Sequence, residues 1–297
     1  MGQPAADAQV TGVCYLNGEF LLLEEARIPV LDRGFIYGDG VYEVIPVYGR
    51  RPYRLPGHLA RLRRSLDAVQ IANPHDDGQW AHLFDELVAR QATDDQSLYL
   101  QVTRGVAKRD HAFPKGVAPT VFMMSNPLAL PTREQVQEGV RAVTATDNRW
   151  YRCDVKSTSL LANVLLRQFA VDQGAAESVL LRNGFLTEGS ASNVFVVKNG
   201  RVATPAMSHL LLPGITWEAI AELALRHGMP FEQRDVSEAE VREADELWLA
   251  SSTREVLDIT TLDGWPVGTG RPGPMFERMY GLFQPDKRQP PPPARHA

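Results

Sequence analysis

Apolar and polar positions change period repeatedly along the chain, and the changes mark out elements. In residues 58–71, Leu59, Leu62, Leu66 and Val69 recur three or four apart, which places them on one face of a helix. Residues 80–90 predict a second helix. Residues 159–173, with Leu160, Val164, Leu165 and Phe169, predict a third, and 214–227, with Ile220, Leu223 and Leu225 after a glycine start, a fourth. Residues 274–283 form a last short one. Between the helices lie β-prone runs punctuated by three Asn-Gly pairs, Asn17-Gly18, Asn183-Gly184 and Asn199-Gly200. Both residue types tolerate the positive φ that two-residue hairpin turns need. Hairpins are therefore expected over 12–23, 179–186 and 194–203. A fourth, with a looser turn at Gly49, joins 41–47 to 52–55. Residues 97–103 and 120–125 alternate as strands, and 247–250 reads as a short buried strand. The glycine-rich stretch 34–40 reads as a turn before the strand at Val41.

Antiparallel hairpins interspersed with helices argue for α+β in the first half and mixed α/β in the second. The best boundary is at 126–133, where Pro127 and Pro131 follow a strand. Two domains are expected, 1–127 and 128–285. A tail at 286–297, with prolines at 290–293, lacks the residues to build a core and is expected to be disordered. The uncharged run 116–132 is broken by Pro119, Pro127 and Pro131, so it reads as strand and linker, with no membrane span.

Composition narrows the function classes. The chain has 297 residues, 31 Lys+Arg against 36 Asp+Glu, and a formal net charge of -5. An acidic balance argues against a general nucleic-acid binder, because phosphate contacts need clustered cations. Two cysteines, Cys14 and Cys153, exclude a disulfide framework and a cysteine-rich zinc site. With no basic and apolar leader at the N-terminus, a reducing, cytoplasmic setting is expected.

The familiar catalytic signatures are missing: no P-loop, no His-Glu-x-x-His, no nucleophile elbow. Several single residues could still carry chemistry. Lys156, between Val155 and Ser157 and just before a helix, could be buried enough to act as a nucleophilic amine; equally it could be a surface lysine. Glu188, among Gly189, Ser190 and Ala191, could be a fixed counter-charge for a ligand cation, or a plain turn acid. Gly214-Ile215-Thr216 opens a helix, whose N–H donors attract an anion. Ser252 could add a donor and Arg61 a charge to that anion. Arg109 and His111 could clamp a carboxylate, although such tripeptides are usually surface loop. Together these are a Schiff-base lysine, an acid for a pyridinium, a phosphate site and a carboxylate clamp, the set that a pyridoxal phosphate enzyme acting on amino acids needs.

The ordered segments Leu31-Asp32-Arg33-Gly34, Gly38-Asp39-Gly40-Val41-Tyr42-Glu43-Val44, His58-Leu59-Ala60-Arg61-Leu62, Gln101-Val102-Thr103-Arg104-Gly105, Arg109-Asp110-His111-Ala112-Phe113-Pro114, Arg149 through Ser157, Thr187-Glu188-Gly189 and Leu212-Pro213-Gly214-Ile215-Thr216 resemble the fold-type IV pyridoxal phosphate enzymes. Among these the likeness is greatest to the bacterial D-amino acid aminotransferases, over nearly the whole chain. The resemblance implies their two-domain fold, pyridoxal 5′-phosphate as cofactor, and transamination between a D-amino acid such as D-alanine and 2-oxoglutarate or pyruvate. It implies Lys156 as the catalytic, cofactor-bonding lysine, Glu188 at the ring nitrogen and Arg149 at the phenolic oxygen. Arg61, Ile215, Thr216 and Ser252 would hold the phosphate. Tyr42, Arg109 and His111 would bind the substrate carboxylate, the Arg and His crossing from the other subunit of a homodimer. Branched-chain L-amino acid aminotransferases and aminodeoxychorismate lyases resemble the chain too. The former usually carry a tyrosine where Leu161 stands here. Ala191 replaces a common serine, and Phe35, Ile36 and Tyr37 differ from the commoner residues.

Overall fold

The computed structural model describes residues 12–289. Within them the chain divides into two compact units. One runs through Leu128 and includes Ser157–Ser159; the other holds Ala129–Lys156 and the chain from Leu160 on.

The first unit is an antiparallel sheet with helices. Its strands are β1 (Val13–Leu16), β2 (Glu19–Leu22), β3 (Gly40–Tyr48), β4 (Arg51–Pro52), β5 (Gln96–Thr103) and β6 (Thr120–Pro127), in the order β2-β1-β6-β5-β3-β4. Helices α1 (Arg33–Tyr37), α2 (Leu55–Ala68) and α3 (Asp77–Arg90) complete it. The hairpin at Asn17-Gly18 forms as its sequence requires, with φ of 50° and 107° at the two turn residues. Strand alternation decides what each face meets. Val41, Glu43, Ile45 and Val47 of β3 are buried in register with Val102, Leu100, Leu98 and Gln96 of β5. The stripe on α2, Leu59, Leu62 and Leu66, is buried as well, and α2 packs on β3. Tyr42 and Val44 point to the other face.

Two details differ from expectation. Residues 34–37 make a helical turn instead of a loop, because Asp32 caps Gly34 N at 2.8 Å and Gly38 closes it at φ 66°. The fourth hairpin forms, with β4 pairing Pro52 to Val47 and Arg51 to Tyr48, but residues 53–55 do not extend it. Pro56 favours the first turn of α2, which therefore starts at Leu55.

The second unit contains α4 (Arg133–Glu138), β7 (Val140–Thr146), α5 (Leu161–Asp172), β8 (Glu177–Arg182), β9 (Phe185–Gly189), β10 (Asn193–Lys198), β11 (Arg201–Thr204), α6 (Ile215–Arg226), β12 (Phe231–Gln233), α7 (Glu238–Arg242), β13 (Glu246–Ser251), β14 (Glu255–Leu262), β15 (Trp265–Pro266) and α8 (Pro274–Asp286). Its sheet runs β12-β11-β10-β13-β14-β7-β8-β9, with β15 on β14. The β11–β12, β14–β7 and β7–β8 pairs are parallel and the rest antiparallel. The chain is thus α+β in its first unit and mixed α/β in its second. The apolar stripe on α5 does not face this sheet. Leu166 and Ala170 are buried, whereas Leu161, Val164 and Leu165 are 72%, 59% and 62% exposed.

The expectation of a disordered tail from 286 begins too early. Asp286 closes α8, and the buried Lys287 ammonium lies 2.6 Å from the equally buried Glu255 carboxylate, which anchors the segment. Residues 290–297, with the proline run, lie outside the described residues. Among the described residues no helix is long and apolar enough to cross a membrane.

Candidate functional site

In the first unit Glu43 occupies an apolar row of β3, so its charge needs partners. α2 supplies them three residues apart. Arg61 donates Nε to Oε1 and Nη2 to Oε2, both at 2.8 Å, and His58 Nδ1 lies 2.8 Å from Oε2. Burial opposes the charge, but Arg61 and His58 outweigh it and hold Glu43 well below the usual carboxylate range. Arg61 is therefore fixed, and it is 3% exposed. Tyr42 is half-buried on the opposite face, with its ring centroid 5.9 Å from that of Tyr99.

Arg109 and His111 are exposed in the single chain and meet at one ring, that of Tyr37. The Arg109 guanidinium carbon is 5.5 Å from its centroid and the His111 ring 5.4 Å. Arg33 ties the same loop to α1, donating Nη1 to the Asp110 carbonyl and stacking on Tyr37 at 4.8 Å. Asp39 in turn receives Nε of Arg33 at 2.7 Å and Nε of Arg104 at 2.8 Å. Arg33, Asp39 and Arg104 lie in motifs that marked the family, yet sequence reasoning assigned them no role.

Lys156 is half-buried in the loop between β7 and α5. The residues just after it are anchored. Ser157 bridges Val41, Thr158 N donates to the Gly40 carbonyl at 3.0 Å, and the hydroxyls of Thr158 and Ser159 donate to the Gly38 carbonyl at 2.9 and 3.0 Å. A Cβ at Gly38 would sit 2.7 Å from Ser159 Oγ, so a side chain there would collide with this anchor.

In the second unit Glu188 is the next-to-last residue of β9 and is buried. One oxygen accepts Nη1 of Arg149. The other accepts Leu212 N at 3.0 Å and Asn193 Nδ2 at 3.3 Å. Asn193 Nδ2 also donates to the Leu212 carbonyl at 3.0 Å. Glu188 is thus joined to the segment that starts α6. A Cβ on Gly214 would come 2.0 Å from Asn193 Oδ1, so only glycine leaves room. No side chain caps α6, and its first residues, Ile215 and Thr216, are 2% and 4% exposed. The first-turn N–H groups of a helix have no intrahelical acceptor, which suits them to an anion. Ser252 sits in the β13–β14 turn. Asn193 pairs with Ala250, so this turn lies at the same sheet end as Asn193.

Burial pushes Glu188 up to about 7, against the pull of Arg149 and the Leu212 amide. Asp147, beside Arg149, behaves oppositely. Burial works to raise it, but Arg149 and Thr187 outweigh this and hold it at about 2. A further acid, Glu177, organises the turn after Glu188. It accepts Ser178 N at 2.9 Å, Ser190 N at 3.1 Å, the Ser190 hydroxyl and the Ser192 hydroxyl at 2.8 Å, and it pairs with Arg254 at 3.4 Å. Asp147, Glu177 and Arg182 were not legible as site residues: Asp147 reads locally as a loop acid beside Arg149, and its links to Thr187 and Arg182, like those of Glu177 to Ser190, Ser192 and Arg254, cross the sequence. The available signal was Glu177 and Arg182 at β8 positions that should be apolar.

The second unit therefore brings together Glu188, Arg149, the start of α6 and the Ser252 turn. The first holds Arg61 on Glu43, and places Arg109 and His111 on Tyr37 with Tyr42 apart from them on β3. Comparison with known proteins supplies the context. The family model for class IV amino-transferases matches residues 40–262. A D-alanine aminotransferase of Bacillus licheniformis is 39% identical over 268 residues, covering 90% of this chain and 94% of that protein. One of Staphylococcus aureus is 35% identical over 271 residues, covering 91% and 96%. Among solved structures, the branched-chain amino acid aminotransferase of Escherichia coli superposes with a TM-score of 0.87 at 25% identity, covering 93% of this chain and 94% of that one. The T.th. branched-chain amino acid aminotransferase with pyridoxamine 5′-phosphate gives 0.87 at 25%, covering 94% and 96%. The chain belongs to the class IV amino-transferase family.

Proposed function

We propose that the protein transfers the amino group of a D-amino acid such as D-alanine to a 2-oxo acid such as 2-oxoglutarate or pyruvate, using pyridoxal 5′-phosphate. The observation that carries the chemistry is the buried Glu188 carboxylate, joined through Leu212 and Asn193 to an uncapped helix start. These residues fit the cofactor. A buried acid suits a cationic ring nitrogen, and buried first-turn amides with no side-chain cap suit a phosphate. The likeness to D-alanine aminotransferases, at 35–39% identity, supports a D-amino acid substrate over the branched-chain amino acids named for the structural neighbours.

Bound pyridoxal phosphate supplies a carbonyl carbon for the amino group and a ring that takes up the electron pair left on Cα. The protein's residues do the rest. Lys156 would hold the cofactor through its amine and would move the proton that leaves the substrate Cα. Glu188 holds the ring nitrogen protonated. Arg61, the Ile215 and Thr216 amides and Ser252 hold the phosphate. Arg149 would meet the phenolic oxygen, the role the family pattern gives it, while its Nη1 donates to Glu188. Tyr42, with Arg109 and His111 from a second copy, grips the substrate carboxylate. Two features support a homodimer: the exposed apolar stripe of α5 and the exposed Arg109–His111 loop. Two free thiols, Cys14 and Cys153, suit a reducing cytoplasm.

Replacing Lys156 by Ala tests the core of this reading. The purified variant should lose the visible absorption of the lysine-bound cofactor together with transamination. Undiminished turnover would contradict it.

A further inference from the structure

Behind Glu188 stands a second buried acid that the proposed chemistry does not use. The Asp147 side chain is fully buried and is held by Arg149, Thr187 and Arg182. Arg149 donates to it by its main-chain N at 3.1 Å, Nε at 2.9 Å and Nη2 at 2.9 Å. Thr187 donates its hydroxyl at 2.9 Å, and Arg182 Nη2 lies 3.0 Å away. This grip turns the remaining Nη1 of Arg149 toward Glu188. The result is a buried row, Arg182–Asp147–Arg149–Glu188, with alternating charges. With Glu188 ionised the row sums to zero. Without Asp147, two guanidiniums would face a single carboxylate, and any further cation at Glu188 would be the third against one anion. In a low-dielectric interior such an imbalance is weakly screened.

We propose that Asp147 is a positioning residue for Glu188: it takes up Arg149 and Arg182 so that they compete less with a protonated pyridine nitrogen for the Glu188 carboxylate. The proposal rests on Glu188 being the ring nitrogen's partner, and the test separates the two. The full-length protein is stripped of cofactor, and the Kd is measured for pyridoxal 5′-phosphate and for its 1-deaza analogue, in which C–H replaces the ring nitrogen. The ratio of the two isolates the ring nitrogen, because phosphate, lysine bond and packing are common to both. Asp147→Asn should lower the preference for the natural cofactor about tenfold, the equivalent of one pKa unit. Arg182→Gln removes a competing cation and should raise it several-fold. A purely structural Asp147 would weaken both ligands alike. An unchanged ratio in Asp147→Asn, or shifts of the same sign in both variants, overturns the proposal. If Asp147→Asn binds neither ligand, Arg182→Gln decides: a raised ratio supports the proposal, and an unchanged or lowered one overturns it. Glu188→Gln is the control. Where it lowers the ratio and Asp147→Asn does not, the Asp147 proposal alone fails. Where it leaves the ratio unchanged, the Glu188 assignment fails and takes the proposal with it.

Discussion

At the scale of single residues, charge in this protein is buried only where it is answered. Glu43 sits among Val41, Ile45 and Leu100, and Arg61 with His58 neutralises it. Removing the carboxylate from such a pair takes a bidentate partner from a buried guanidinium. Glu43→Ala should therefore cost about 3–5 kcal/mol of stability, seen as a lower urea midpoint for the cofactor-free protein. A loss below about 1 kcal/mol would mean that the pair contributes little. Which residues were legible follows from the same contacts. Lys156, Glu188 and Gly214 stand in short motifs, so their segments could be matched. Asp147 and Arg182 stand in none. Their meaning lies in an ion pair across 35 residues of sequence, and neither local period nor spacing encodes that.

At the scale of elements, hairpins are legible in the sequence and polar strands are not. Asn183-Gly184 and Asn199-Gly200 fix their turns locally, with φ of 53° and 81° and of 50° and 70°. In β14, Glu255, Asp258 and Thr260 are buried, so the apolar run that signals a strand is broken. The partners of its two acids are in or next to α8. Glu255 meets Lys287, and Asp258 accepts Gly273 N at 2.9 Å. Glu246 of β13 accepts Met275 N at 3.0 Å and Phe276 N at 2.7 Å, capping the positive end of α8. Burial pushes Asp258 up to about 7, with Glu246 adding to it against the Gly273 amide. The folded state then holds a proton that the unfolded state has released, so stability falls as pH rises from about 4 to about 7 and is lower by a constant amount above that. The gap from the ordinary value amounts to roughly 4 kcal/mol. Asp258→Asn should remove this slope, so that urea titrations from pH 4 to pH 8 show the variant gaining on the parent as pH rises. Parallel curves would refute a raised Asp258.

At the scale of the whole molecule, a chain of net charge -5 would still hold two small anions in the proposed reading. There Arg61 and Lys156 would serve the cofactor, and Arg109 and His111 the substrate. The fold class could be read from interleaved hairpins and helices, and the family from ordered motifs across both units. Orientation of the α5 stripe could not. Helical spacing tells which residues share a face, but not whether the chain's own sheet or another surface covers it; here Leu161, Val164 and Leu165 stay exposed. The central claim, D-selective transamination on Lys156, is tested most directly by a half-reaction without any 2-oxo acid. Purified holoenzyme is mixed with D-alanine or with L-alanine, L-leucine or L-valine, while the absorption of the lysine-bound cofactor and the pyruvate released are followed. D-alanine should discharge the absorption and release one pyruvate per site, and the L-amino acids should leave the spectrum unchanged. Discharge by L-leucine or L-valine with D-alanine inert would contradict the account.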